Sequence, residues 1–355
     1  MNICPITTID KYCAKKQQKD LYVFHDFLNI KSLSSSLISN RSKFQNHFSN
    51  WNFYSIFVSV FTLPLMKYWQ SSRQYFLYEI KNFISEKGNL LADIDSFFFL
   101  LINMKSLQKK FLPNSNYMKY QTDITAKMRT ILIDWLIDVH IKFKLAYKTL
   151  YLTINIIDRF LSIKKLARQR LQLLGITAML VASKYEEIYA PETKDFVYIS
   201  ANAYTKDDIF KMEALVCDTL KFEFSCPSLF CFLIYFAKIT NVKKNALYIS
   251  LYLSELTMLD ICMLRYSPSS ISFSIVLLVS NFFSDEEMSF DQIKMLSRKK
   301  IHLENFIILH DCINVLKSLL ILGQNDKQKI GSIRRKYGAK KFGEIAFSGF
   351  TVTVL

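Results

Sequence analysis

The sequence predicts an all-α chain of two tandem five-helix bundles behind an irregular N-terminal extension. Three observations lead there. From about residue 115 onward, apolar residues recur at spacings of three and four. Of the seven glycines only Gly88 and Gly175 precede Gly323, which disfavours folds that depend on glycine turns. Pro113, Pro191, Pro227 and Pro268 fall between the periodic segments rather than inside them. A chain of 355 residues, 51% hydrophobic and 21% charged, is too apolar for disorder and has material for a sizeable core.

Residues 1–70 form the extension, polar and serine-rich around SLSSSLISNRSKF, then apolar from Trp51 to Met66. That apolar stretch carries no formal charge, but Asn52, Ser55, Ser59, Thr62 and Pro64 interrupt it. It is also shorter than the ~20 residues a spanning helix needs, so no membrane insertion is expected. Residues 71–124 lead into the first bundle and contain the unusual run SFFFLLINM. The first bundle occupies 125–225, with helices over 125–143, 148–162, 168–187, 191–199 and 206–221. Pro191 reads as a first-turn proline, and Thr205 followed by Asp208 as a helix cap. Pro227 divides the chain. The second bundle, 226–325, has helices near 227–238, 244–260, 268–283, 288–298 and 301–321, and a basic tail runs over 326–355. Its densest run, RRKYGAKK, reads as a solvated face.

The third helix, LQLLGITAMLVASKY, is apolar on every side and should be a central strut. Gly175, Ala178 and Ala182 form a stripe of small side chains along it, and close packing there would offset the ~1 kcal/mol that glycine costs in a helix. The first helix has two apolar faces: Ile133, Leu136, Ile137 and His140 on one, Met128, Ile131, Leu132 and Trp135 on the other. One interface buries only one of them. The second face is either covered by another part of this chain or exposed as a docking patch, with Asp138 at its end to receive a basic residue of a bound peptide. Arg129 and Asp158 are charges set in strongly apolar helices, and pattern favours a buried pair over two unrelated surface charges.

Several function classes lose ground. No closely spaced glycines exist to cradle a phosphate. The five histidines include no HExxH, and no Cys/His spacing suits zinc. Seven cysteines without a CxxC pair suggest a reducing, intracellular compartment, and MNICPITTID lacks the features of a secretory signal. Asp134, Asp138 and Asp158 sit on separate helix faces without a nucleophile in register, which speaks against an enzyme. The formal charge of +16 raises a nucleic-acid-binding factor as the alternative, but the excess lies mostly at the ends and in the tail.

The segments MRTILIDWLIDV (128–139), IDRFLS (157–162), LQLLGITAMLVASKYEEIYAPE (171–192), FVYIS (196–200), YTKDDIFKME (204–213) and LKFEF (220–224) together resemble the cyclin box of mitotic and S-phase cyclins. YMKYQTDIT, LSELTMLD and IGSIRRKYGAKKFGEIAFSG look closest to A-type cyclins, with B-type as the near relative, and the resemblance runs from 117 to 349. It implies tandem cyclin folds and a non-catalytic activating subunit of a cyclin-dependent Ser/Thr kinase, acting in S phase and at G2/M in nucleus and cytoplasm. It implies no cofactor of its own, since ATP and magnesium belong to the kinase, and neither nucleic acid nor membrane as partner.

Matched position by position, the resemblance assigns Lys184 and Glu213 to the kinase backbone and Tyr185, Ile188 and Phe222 to the kinase's regulatory helix. Met128, Ile131, Leu132, Trp135, Asp138, Leu171 and Gln172 match a groove for Arg-x-Leu motifs of substrates or inhibitors, with Asp138 in place of a longer glutamate. Arg129 and Asp158 match an internal ion pair. YFLYEIKNFISE (75–86) resembles the helix before the box, and residues 87–107 between it and the box read as an insertion. Arg41-Ser-Lys-Phe44 with Asn50 is a distorted echo of a destruction motif, while Arg129–Leu132 and Arg168–Leu171 lie inside helices.

Overall fold

The structure, a computed structural model, describes residues 101–240, 242–283, 306–324 and 331–347, all within the compact unit Lys87–Leu355. The readings placed on residues 1–70, on the 75–86 helix and on the helix at 288–298 lie outside these residues. Every regular element described is helical. The first bundle comprises α1 (Ala126–Lys142), α2 (Tyr147–Ile163), α3 (Leu171–Glu186), α4 (Thr193–Ile199) and α5 (Lys206–Thr219). The second contains α6 (Leu229–Ile239), α7 (Lys244–Leu259), α8 (Pro268–Phe283) and α9 (Phe306–Gln324). A short helix, α10 (Ser332–Tyr337), follows. No described helix is long and apolar enough to cross a membrane.

Local chemistry explains the helix starts. Thr125 Oγ1 accepts the Met128 N–H at 3.3 Å, and Thr205 and Asp208 close a reciprocal box at 3.2 and 2.9 Å. Pro268 takes the first position of α8, where its missing N–H costs nothing. Two helix starts in the first bundle differ from expectation by more than one residue. Residues 168–170 form a 3₁₀ turn, so α3 begins at Leu171. Pro191 lies just before the cap of α4, and the Glu192 N–H donates to Asp195 Oδ2 at 2.9 Å, so that box rather than the proline sets the start.

Along α3 every residue from Leu173 to Ser183 is buried, consistent with its place among α1, α2, α4 and α5. A Cβ on Gly175 would sit 2.8 Å from Leu132 Cδ1, so α1 packs closely against α3 here and the end of the Leu132 side chain would have to shift. On α1, Ile133, Leu136, Ile137 and His140 are all buried, which settles its inner face.

The sequence-based domain picture needs two corrections. Residues 101–108 are helical, Leu101 and Met104 lie in the core, and Gln108 exchanges hydrogen bonds with Ser269 at 2.8 and 3.1 Å. Of the supposed insertion, Leu101 and Met104 therefore belong to the packing, while Ile102 between them is exposed. The basic tail is not a solvated face throughout either. Lys336 is buried and its ammonium donates to Glu255, while the Tyr337 hydroxyl donates to the same oxygen at 2.7 Å. Burial pushes the Glu255 carboxyl up, and Lys336 and Tyr337 counter it.

The bundles are joined around Arg129. Its Nε and Nη2 donate to the two Asp158 oxygens at 2.7 Å each, with the side chains 1% and 2% exposed. The Tyr117 hydroxyl donates to Asp158 at 2.8 Å, and Arg129 Nη1 donates across the bundle interface to the Met258 carbonyl at 2.9 Å. Beside it the Thr130 hydroxyl donates to the Leu259 carbonyl at 2.9 Å. Burial and the Asp158 charge hold the Tyr117 phenol well above its ordinary range.

After α5 the chain turns through two successive non-glycine residues in the left-handed region, Lys221 (φ 53°) and Phe222 (φ 57°). The Phe222 N–H donates to the Cys217 carbonyl at 3.0 Å, closing the helix end.

Three outcomes are expected. Asp158→Ala strands a buried guanidinium and should destabilise the fold by about 3–5 kcal/mol in denaturant titration, whereas Arg129→Met with Asp158→Leu should cost less than that single change. Lys221→Gly relieves a left-handed strain and should stabilise by roughly 0.5–1 kcal/mol, read as a higher Tm. His140 Nε2 donates to the Ala146 carbonyl at 3.1 Å; burial and the Lys336 charge pull its pKa down to about 4. Between about pH 6.5 and 4 the unfolded imidazole therefore binds a proton that the folded one refuses, and stability is lost as pH falls through that window. Relative to wild type, His140→Gln should gain roughly 3 kcal/mol between pH 7 and pH 4.

Candidate functional site

Two surfaces carry the expected site residues. The first lies where α3 ends against α5. Lys184 Nζ donates to both oxygens of Glu213, at 2.6 and 2.9 Å, and both residues keep part of their surface in solvent. One turn beyond Glu213, burial and the Glu213 charge push the Cys217 thiol up to about 12, so it is a neutral, apolar-like wall. The Tyr185 hydroxyl and Ser225 Oγ share a hydrogen bond at 2.9 Å, and the Tyr185 ring meets Phe224 edge-on at 6.2 Å. These contacts bring the strained segment carrying Phe222 alongside the end of α3.

Three large apolar side chains stand out from this surface: Ile188 is 81%, Tyr189 92% and Phe222 52% exposed. Their exposure is built in by the backbone. The left-handed turn projects Phe222 outward. Glu187, just past α3, accepts from the Ala146 N–H at 2.8 Å and from the Thr149 hydroxyl, tying the chain after α3 to the start of α2. That tie pins the segment from which Ile188 and Tyr189 emerge. Sequence reasoning missed Glu187, Tyr189 and Cys217.

The second surface is the outer face of α1 beside the start of α3. Leu132 and Leu171 are buried and form its floor, Met128, Trp135 and Gln172 are half-buried around it, and Ile131 is 56% exposed. Both openings left by sequence reasoning are partly realised here. Among the described residues the apolar end is uncovered around Ile131, while the carboxylate end is met by α10. Asp134 Oδ1 accepts the Ser332 N–H at 3.1 Å, and Asp138 Oδ2 accepts from Arg335 at 2.7 Å. Burial pushes the Asp134 carboxyl up, and the contact from Ser332 opposes it.

Residues 100–225 match the family description "Cyclin, N-terminal domain" and residues 227–349 match "Cyclin, C-terminal domain". Among curated relatives, a "G2/mitotic-specific cyclin-B" of Arbacia punctulata is 36% identical over 70% of this chain and 60% of its own length. A "G2/mitotic-specific cyclin-A" of Hydra viridissima is 37% identical over 68% of this chain and 56% of its own length. The aligned part is thus a little over half the length of these relatives. Among solved structures, a viral cyclin from herpesvirus saimiri shares the fold with a TM-score of 0.54 at 18% identity, covering 62% of this chain and 96% of that one. A and B types match at similar identity. With both domains matched in tandem over this all-helical scaffold, the chain belongs to the cyclin family, among relatives of the mitotic A and B types.

Proposed function

We propose that this chain is the non-catalytic activating subunit of a cyclin-dependent Ser/Thr protein kinase that drives cell-cycle progression through S phase and G2/M. The observation that carries the reading is the α3–α5 surface, where a paired lysine and glutamate lie beside three exposed apolar side chains on a braced, locally strained backbone. Exposed apolar side chains of this size mark a protein-binding surface, and strain retained at a fixed exposed position is expected where a partner is engaged.

Mechanistically, Lys184 and Glu213 exchange part of their mutual bonding for backbone groups of the kinase, while Tyr185, Ile188 and Phe222 receive its regulatory helix. The surface accepts that helix only in the inward orientation, so differential affinity shifts the kinase towards its active population. The kinase's own lysine-glutamate pair then forms and its activation loop orders, and phosphoryl transfer proceeds with the kinase's ATP and magnesium. The α1 groove formed by Met128, Ile131, Leu132, Trp135, Asp138, Leu171 and Gln172 recruits Arg-x-Leu segments of substrates or inhibitors. The complex works in nucleus and cytoplasm. A nucleic-acid-binding role is disfavoured because Arg335 and Lys336 of the densest basic run are engaged with Asp138 and Glu255.

Lys184→Ala with Glu213→Ala should abolish co-purification with the kinase and the associated histone kinase activity. Helical circular dichroism should be unchanged, because this pair lies at the surface rather than in the core. Retained activity in the double variant would overturn the assignment.

A further inference from the structure

The outer face of α1 presents two carboxylates, Asp134 and Asp138, and α10 of the same chain engages both. Asp134 takes the Ser332 N–H at 3.1 Å, and Asp138 takes the Arg335 guanidinium at 2.7 Å. Arg335 Nη2 also donates to Ser332 Oγ at 3.1 Å, and Ser332 is fully buried, so the guanidinium is aimed rather than loose. The neighbouring Lys336 and Tyr337 are anchored on the buried Glu255, which fixes α10 and keeps Arg335 at high local concentration beside Asp138. The ion pair itself remains open to solvent, with side chains 65% and 43% exposed, so an incoming cation can reach it. In the apolar part of the same face Ile131 stands outermost, 56% exposed, and no described residue covers it.

We propose that Arg335 is a built-in competitor for the basic residue of any peptide docking in the α1 groove, and so determines the groove's specificity. The inference rests on the docking role assigned to that groove under the proposed function. Its occupant is a short peptide pairing a basic residue with an apolar one, as the charge and the uncovered apolar surface together require. The basic residue meets a carboxylate already neutralised, and gains only what remains after Arg335 is displaced. The apolar residue meets no competitor among the described residues. The groove therefore selects mainly on the apolar residue and discriminates weakly between Arg-x-Leu and Ala-x-Leu.

The test measures binding of a ten-residue Arg-x-Leu peptide and its Ala-x-Leu twin to the full-length chain, as wild type and as Arg335→Gln, by fluorescence anisotropy. Because the competing pair is exposed, Arg335→Gln should tighten the Arg-x-Leu peptide roughly two- to five-fold and leave its twin unchanged. In wild type, Asp138→Asn should weaken the Arg-x-Leu peptide by no more than about two-fold; this arm stands should Arg335→Gln fail to fold. A larger loss there overturns the proposal. If both peptides bind but Arg335→Gln alters neither, or tightens both equally, the competition is refuted while the groove survives. If neither peptide binds any variant at millimolar concentration, the groove itself is refuted, and the competitor with it.

Discussion

The buried guanidinium of Arg129 is the constraint on which the rest of the arrangement depends. A charge removed from water must have its donors satisfied, and here they are satisfied by groups from different parts of the chain. Asp158 on α2 supplies the bidentate carboxylate, Met258 at the end of α7 supplies a carbonyl, and Tyr117 reinforces the carboxylate from outside the bundle. Loss of any partner leaves a desolvated group behind, so the relative placement of α1, α2 and α7 is specified more sharply than apolar packing alone would specify it. Apolar contacts tolerate small slips; a fork of two 2.7 Å bonds in a dry environment does not.

That rigidity bears on the exposed surfaces. Ile188, Tyr189 and Phe222 would gain by folding back onto the protein, yet they stand in solvent. What prevents collapse is local and nameable: Glu187 ties the chain after α3 to the open end of α2, and the Lys221–Phe222 turn holds a conformation that non-glycine residues avoid. Both devices need a scaffold that does not relax around them. A surface prepared this way has less to order on binding, which is where much of the cost of association lies.

Much of this was legible in the residues and some was not, for physical reasons. Helical periodicity, proline placement and the Thr205–Asp208 cap located most of the helices, because these signals are local. The Arg129–Asp158 pair could be inferred because two charges in apolar helices have few alternatives to each other. The outer face of α1 could not be settled, since whether a second apolar stripe is covered depends on residues some two hundred positions away, as Ser332 on Asp134 illustrates. The same limit explains the tail. In sequence RRKYGAKK is a basic run; in space one lysine is drawn inside by Glu255, a carboxylate buried in α7 that local pattern cannot associate with it. The end of SFFFLLINM looked foreign to its surroundings because Leu101 and Met104 find their partners in the core rather than nearby in the chain.

The two surfaces share a feature that apolar exposure alone would not suggest. In each, the charged anchor is already paired within the chain, Lys184 with Glu213 and Asp138 with Arg335. Left unpaired, Lys184 would attract any nearby acidic group and Asp138 any nearby basic one. Internal pairing lowers that background attraction. A partner must offer geometry good enough to replace an existing bond, so the gain from a correct contact is reduced while the gain from an approximate one is nearly cancelled. Discrimination then arises from competition within the chain, and affinity is supplied chiefly by the apolar side chains that have no internal partner to leave.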